Sequence, residues 1–229
     1  MRFARLIAML LGSGFALLAI ALFLASLPVS ARERDDVDDG LANDGYTDHL
    51  SRATATRILD LYVDREFDIP DRRYILSAVR QWNYALNGFV RFRTSLLPQD
   101  VPSSMIAEIK RTGGWIVARV DSRHPVTQTG EGRHALALTV GDRHTGFVYV
   151  ISDRIGGRRL TGVVLHEFGH VLGAGHDSAG LMAPVYSAVA SRCIDHDAMA
   201  MVAEVQRLPL SQLNWCVDPS GDRRLMSRR

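Results

Sequence analysis

His166-Glu167-Phe168-Gly169-His170-Val171-Leu172-Gly173-Ala174-Gly175-His176-Asp177 is the stretch on which the reading of this 229-residue chain turns. His166 and His170 are four residues apart, so on a helix they project from one face a turn from each other. Two imidazole nitrogens placed that way share one Zn²⁺ at about 2.0–2.1 Å each. Glu167 is rotated off the ligand line, where it reaches a water at the metal without competing for the metal, as a general base must. A third ligand cannot come from a straight continuation of the helix, because the next side chains turn away. Gly173 accepts the left-handed backbone that ends helices, and the chain after it turns back to deliver His176. Three histidines leave a fourth position open, the arrangement of a catalytic rather than a structural zinc. The alternative is a buried helix that happens to carry histidines. It leaves Gly173, His176 and the following Leu181-Met182-Ala183-Pro184 without a reason.

Outward from this motif, Leu160, Val163, Val164, Phe168 and Leu172 supply the buried side of a helix beginning near Arg159. Upstream, residues 56–64 have strand character, and Asp68-Ile69-Pro70-Asp71 reads as a turn and helix start. Ile75, Leu76, Val79, Trp82 and Leu86 recur at helical spacing, which predicts an amphipathic helix over 72–87 ended by Gly88. Residues 89–93 alternate as a strand, 98–102 form a loop, and 115–120, 135–140 and 146–151 are three further strands. Downstream, Asp195 caps a helix running to about residue 207, with Pro209 beyond its end. The order predicts an α+β fold: a mixed, largely one-sided sheet, a backing helix, the motif helix and a C-terminal helix.

The motif with its downstream methionine resembles the metzincin zinc metalloproteases, and the element order from about residue 56 to 208 is similar to that of the matrixins. The resemblance implies a zinc endopeptidase with His166, His170 and His176 as ligands and Glu167 as general base. It implies Met182 as an apolar floor beneath the ligands, and Ala183-Pro184-Val185-Tyr186 as a pocket wall with Tyr186 facing the substrate. Some relatives place a metal-binding tyrosine where Pro184 stands, so no fifth ligand carries over. Asp177 after His176 resembles the adamalysin branch and leaves the subfamily open. Matrixins hold a structural zinc in the region of His124, His134 and His144. The spacing here departs from theirs, so a second zinc, or calcium, stays open beside the reading of ordinary surface histidines. A protein or peptide substrate is implied as partner, with strand 146–151 expected at a sheet edge to align it by strand addition. The other readings are a non-catalytic zinc-containing peptide-binding relative and a zinc hydrolase of a non-peptide amide. Glu167 argues against the first, because a purely structural site needs no base.

The remaining chain bears on location. Residues 1–31 carry Arg2 and Arg5, an apolar run from Leu6 to Leu27 and a small-residue site at Val29 and Ala31, which predicts a cleaved signal peptide. An uncleaved membrane anchor is the alternative, disfavoured by Gly12, Ser13 and Gly14 within the run. Residues 32–54 are rich in aspartate and poor in large apolar residues, a solvated linker or short pro-segment. Residues 55–229 remain as the catalytic domain, expected to be extracytoplasmic (secreted or periplasmic) and monomeric. Without its first 31 residues the chain has 25 basic and 25 acidic residues, which excludes a strongly basic nucleic-acid surface. Cys193 and Cys216 are the only cysteines, and an even pair in an exported chain predicts a disulfide. The basic tail, residues 223–229, reads as frayed.

Overall fold

The computed structural model describes residues 46, 47, 49, 53, 55–128, 130–187 and 192–216. Residues 1–31 (expected to be a signal peptide), most of the acidic segment and the basic tail lie outside them. Among the described residues are five strands: β1 (Arg57–Val63), β2 (Val90–Leu96), β3 (Gly114–Val120), β4 (Ala137–Gly141) and β5 (Gly146–Ile151). They form one sheet in the order β2-β1-β3-β5-β4, parallel throughout except for the antiparallel β4–β5 pair. Four helices accompany it: α1 (Ile69–Ala85), α2 (Ser103–Thr112), α3 (Arg159–Val171) and α4 (His196–Gln206).

Each element follows from local chemistry. Asp68 caps α1 by accepting the Asp71 N–H at 2.7 Å, with Pro70 in the first turn where its missing N–H costs nothing. In β1, Leu61 and Val63 are buried toward α1 and α3, together with Val90 and Phe92 of β2, Val117 of β3 and Val148 and Val150 of β5. Period-two alternation puts those residues on one face. Trp82 of α1 is fully buried and ties the two helices of that face together, its indole N–H donating to the Leu165 carbonyl of α3 at 3.0 Å. The rings of Phe92 and Phe168 meet at 5.3 Å and fasten α3 to the sheet.

Two expectations are corrected. The sheet is not largely one-sided: α2 packs on the opposite face, burying Ile109 with Ile116 and Leu97 against Tyr62, Met105 and Phe147. The sequence reading passed over α2, whose first residue follows Pro102 with no side-chain cap. Strand 146–151, expected at a sheet edge, is interior. The edge is β4, because β5 pairs with β3 on one side and with β4 on the other.

Cys193 and Cys216 are joined, their Cα atoms 6.1 Å apart across a sequence separation of 23. The bridge ties the segment before α4 to the segment after it, next to the Cys216 N–H bond to the Ile194 carbonyl at 2.8 Å. In the loop-entropy picture a closure of this length stabilises by about 3 kcal/mol. The double variant Cys193→Ser/Cys216→Ser is expected to lose about that much in urea denaturation. Trp82→Phe removes a buried hydrogen bond and part of a packed ring system, for an expected loss of about 1–3 kcal/mol by the same measurement.

Candidate metal centre

Helix α3 places His166 and His170 one turn apart on the side away from Leu160, Val164 and Phe168, with Glu167 rotated off that line and buried. Its end is built for a reversal. Gly173 has φ 91°, and a Cβ there would lie 2.6 Å from Cγ1 of Val205, so the turn needs glycine on both conformational and steric grounds. The Gly173 N–H donates to the His170 carbonyl and the Ala174 N–H to that of Gly169, both at 2.9 Å. The chain then doubles back and brings His176 to the other two histidines.

Nε2 of His170 lies 3.0 Å from Nε2 of His166 and 3.2 Å from Nε2 of His176. The tautomers of the first two follow from their partners. Nδ1 of His166 is 2.8 Å from the Leu181 carbonyl, and Nδ1 of His170 is 2.8 Å from the Ala174 carbonyl. A carbonyl only accepts, so each Nδ1 carries the proton and each Nε2 presents a lone pair. Burial holds the His166 pKa down at about 4, with weaker help from its histidine neighbours and against the Leu181 hydrogen bond, so its imidazole is neutral. Lone pairs aimed at one another at 3.0 Å repel unless a cation lies between them. Tetrahedral zinc with nitrogens at about 2.05 Å requires them about 3.3 Å apart. The donor set therefore fits a divalent metal of the zinc kind. Among the described residues, these three histidines are the one His/Cys/Asp/Glu group of three or more close enough to share an ion. His124, His134 and His144 are not brought together. His124 accepts the Val126 N–H and faces the Tyr149 ring, His134 lines the cleft beside the triad, and His144 lies in the β4–β5 turn.

Glu167 is 5 % exposed. Thr139 of β4 donates its hydroxyl to Oε2 of Glu167 at 2.6 Å. Burial raises the carboxyl to about pH 7, and the Thr139 hydrogen bond opposes that rise. Met182 is buried under α3, against Gly169. A Cβ on Gly169 would lie 2.5 Å from its sulfur, so the missing side chain is what admits the methionine. The turn carrying Met182 is held from below by Asp195. Oδ2 accepts the Leu181 N–H at 2.6 Å, while Oδ1 caps α4 through the Ala198 N–H at 2.8 Å. Tyr186 lines the cleft with Pro184 and Val185, and the Arg159 guanidinium lies over its ring at 5.4 Å. The cleft encloses about 1040 Å³ and opens onto the triad, with β4 along one side. Thr139 and Arg159 were not singled out from sequence. Arg159 was findable, since it lies seven residues before His166 on the same helical face; nothing local marks Thr139.

No protein-family model matches the chain, and no curated protein matches it in sequence. Among solved structures, it is similar to high choriolytic enzyme 1, a hatching enzyme zinc-protease from Oryzias latipes (medaka fish). The identity is 18 % and the TM-score 0.34, over 55 % of this chain and 48 % of that one. The match spans about half of the medaka protein's length and is too slight to carry an argument, so the case below rests on the site itself.

Gly169→Ala forces Met182 out of its place under the ligand helix. Zinc affinity measured by competition with a chromogenic chelator is expected to fall about tenfold or more, with a lower melting temperature.

Proposed function

We propose that this chain is a zinc-dependent endopeptidase acting outside the cytoplasm. The observation that carries the reading is the convergence of three imidazole Nε2 atoms at the mouth of a cleft, with a buried carboxylate beside them. His166, His170 and His176 would hold the ion, and Met182 would floor it. Bound there, zinc supplies a Lewis acid that polarises the scissile carbonyl and acidifies water near neutral pH.

The chain's own residues supply the rest. Thr139 holds Oε2 of Glu167, so Oε1 is the oxygen that takes a proton from the attacking water. Glu167 keeps that proton in its buried site and passes it to the leaving amine nitrogen. Strand β4 has its outer edge unpaired by any described strand, so an extended peptide adds to it with main-chain hydrogen bonds. That edge favours a peptide over a non-peptide amide as substrate. Tyr186, with Pro184 and Val185, would wall a side-chain pocket.

Export is part of the proposal. Residues 1–31 would serve as a signal peptide, residues 32–54 as a linker or short pro-segment, and 55–229 as the catalytic domain. The Cys193–Cys216 bridge fits an oxidising compartment. Among the described residues no helix is long and apolar enough to cross a membrane.

Purified chain lacking residues 1–31 is expected to cleave an unstructured protein substrate, to stop when a zinc chelator is added and to resume when zinc is restored. Glu167→Ala should retain one zinc per chain and lose at least about a thousandfold in rate, consistent with removal of the base. Undiminished cleavage by that variant contradicts the reading. Thr139→Val should keep zinc and KM while lowering kcat roughly tenfold, since a hydrogen bond to a charged group is worth about 1.5–3 kcal/mol. Thr139→Ser should restore most of the loss.

A further inference from the structure

We infer that Arg159 makes the cleft selective for substrates carrying an aspartate or glutamate side chain close to the scissile bond. The inference rests on the peptidase reading above and adds a substrate class to it.

Arg159 is the first residue of α3, and four and seven residues later come Val163 and His166, all three lining the cleft. Seven residues of α-helix advance about 10 Å and return to nearly the same face. An extended peptide covers that distance in about three residues, at about 3.3 Å each. The arginine and an acidic side chain together span part of that distance, so a carboxylate one or two residues from the scissile bond comes within reach of the guanidinium.

Arg159 is solvent-exposed at the cleft, its guanidinium lying 5.4 Å over the ring of Tyr186, which lines the same cleft. Among the described residues the guanidinium donates no hydrogen bond, so its planar set of N–H groups is available to an acceptor. Among the described residues Arg159 makes no ion pair. Two carboxylates line the same cleft, and both are engaged elsewhere. Asp142 accepts the backbone N–H groups of His144 and Thr145 at 2.8 and 3.0 Å, and Glu167 accepts from Thr139. The cleft thus offers a cation with a planar fork of donors, and among the described residues no carboxylate pairs with it. A substrate carboxylate matches that fork in charge and in geometry. A lysine or arginine placed there meets repulsion, which sharpens the choice.

The test uses internally quenched peptides in pairs, identical except for Glu or Gln at one of the two positions on either side of the scissile bond. For the wild-type protein, kcat/KM is expected to favour Glu by roughly fivefold or more at one position, the scale of a partly exposed charge pair. Arg159→Met should bring that ratio near one, and Arg159→Glu should invert it. Each ratio is internal to one variant, so a lower folded fraction does not affect it. The second measurement is the Kd of zinc-loaded Glu167→Ala for the same pairs, which reads selectivity without turnover. A ratio near one at every position in both measurements overturns the inference, as does a preference that survives Arg159→Met. Absent cleavage with a selective Kd abolished by Arg159→Met upholds the role of Arg159 and counts against the peptidase reading instead.

Discussion

Three imidazole Nε2 atoms gathered at one spot are the constraint on which this structure depends. Left alone, the Nε2 lone pairs of His166 and His170, 3.0 Å apart, repel, so something must keep the rings from turning away. For His166 and His170 that restraint is a hydrogen bond from Nδ1 to a backbone carbonyl, Leu181 in one case and Ala174 in the other. Both carbonyls belong to the segments that follow the helix. The reversal at Gly173 and the turn at Met182 therefore do more than deliver a third ligand: they fix the tautomer and the angle of the first two.

The rest of the fold holds those segments in place. Asp195 uses both carboxylate oxygens, one on the Leu181 N–H and one on the first turn of α4, so the turn under the histidines and the C-terminal helix share an anchor. The preceding residue, Ile194, accepts from Cys216 and donates its N–H to the hydroxyl of Tyr46 at 3.0 Å. From the other side, Trp82 bonds to the Leu165 carbonyl, so α1 reaches the helix one residue before His166. Strand β4 completes the arrangement through Thr139, which joins the proposed peptide-binding edge to the proposed base.

Much of this was legible in the sequence because it is local. The i, i+4 histidines, the helix stop at Gly173, the cap at Asp195 and the apolar spacing of Ile75, Val79 and Trp82 are all written within a few turns of chain. What escaped is non-local or weakly marked. Helix α2 is 10 residues long with only Ile109 fully buried, so its periodicity is short and shallow. The edge position of β4 depends on β3 choosing β5 as its neighbour, and no feature of residues 146–151 announces that choice. The Thr139–Glu167 bond spans 28 residues and two kinds of element. The cysteine pairing was legible for a simpler reason, since two cysteines allow only one intramolecular bridge.

The most direct test of the account is X-ray absorption at the zinc edge of the purified, zinc-loaded protein. The account predicts one zinc per chain with three imidazole nitrogens at about 2.0–2.1 Å and one light, exchangeable ligand. A fourth protein ligand closing the site, or zinc binding that survives replacement of His176 with its spectrum unchanged, would contradict it.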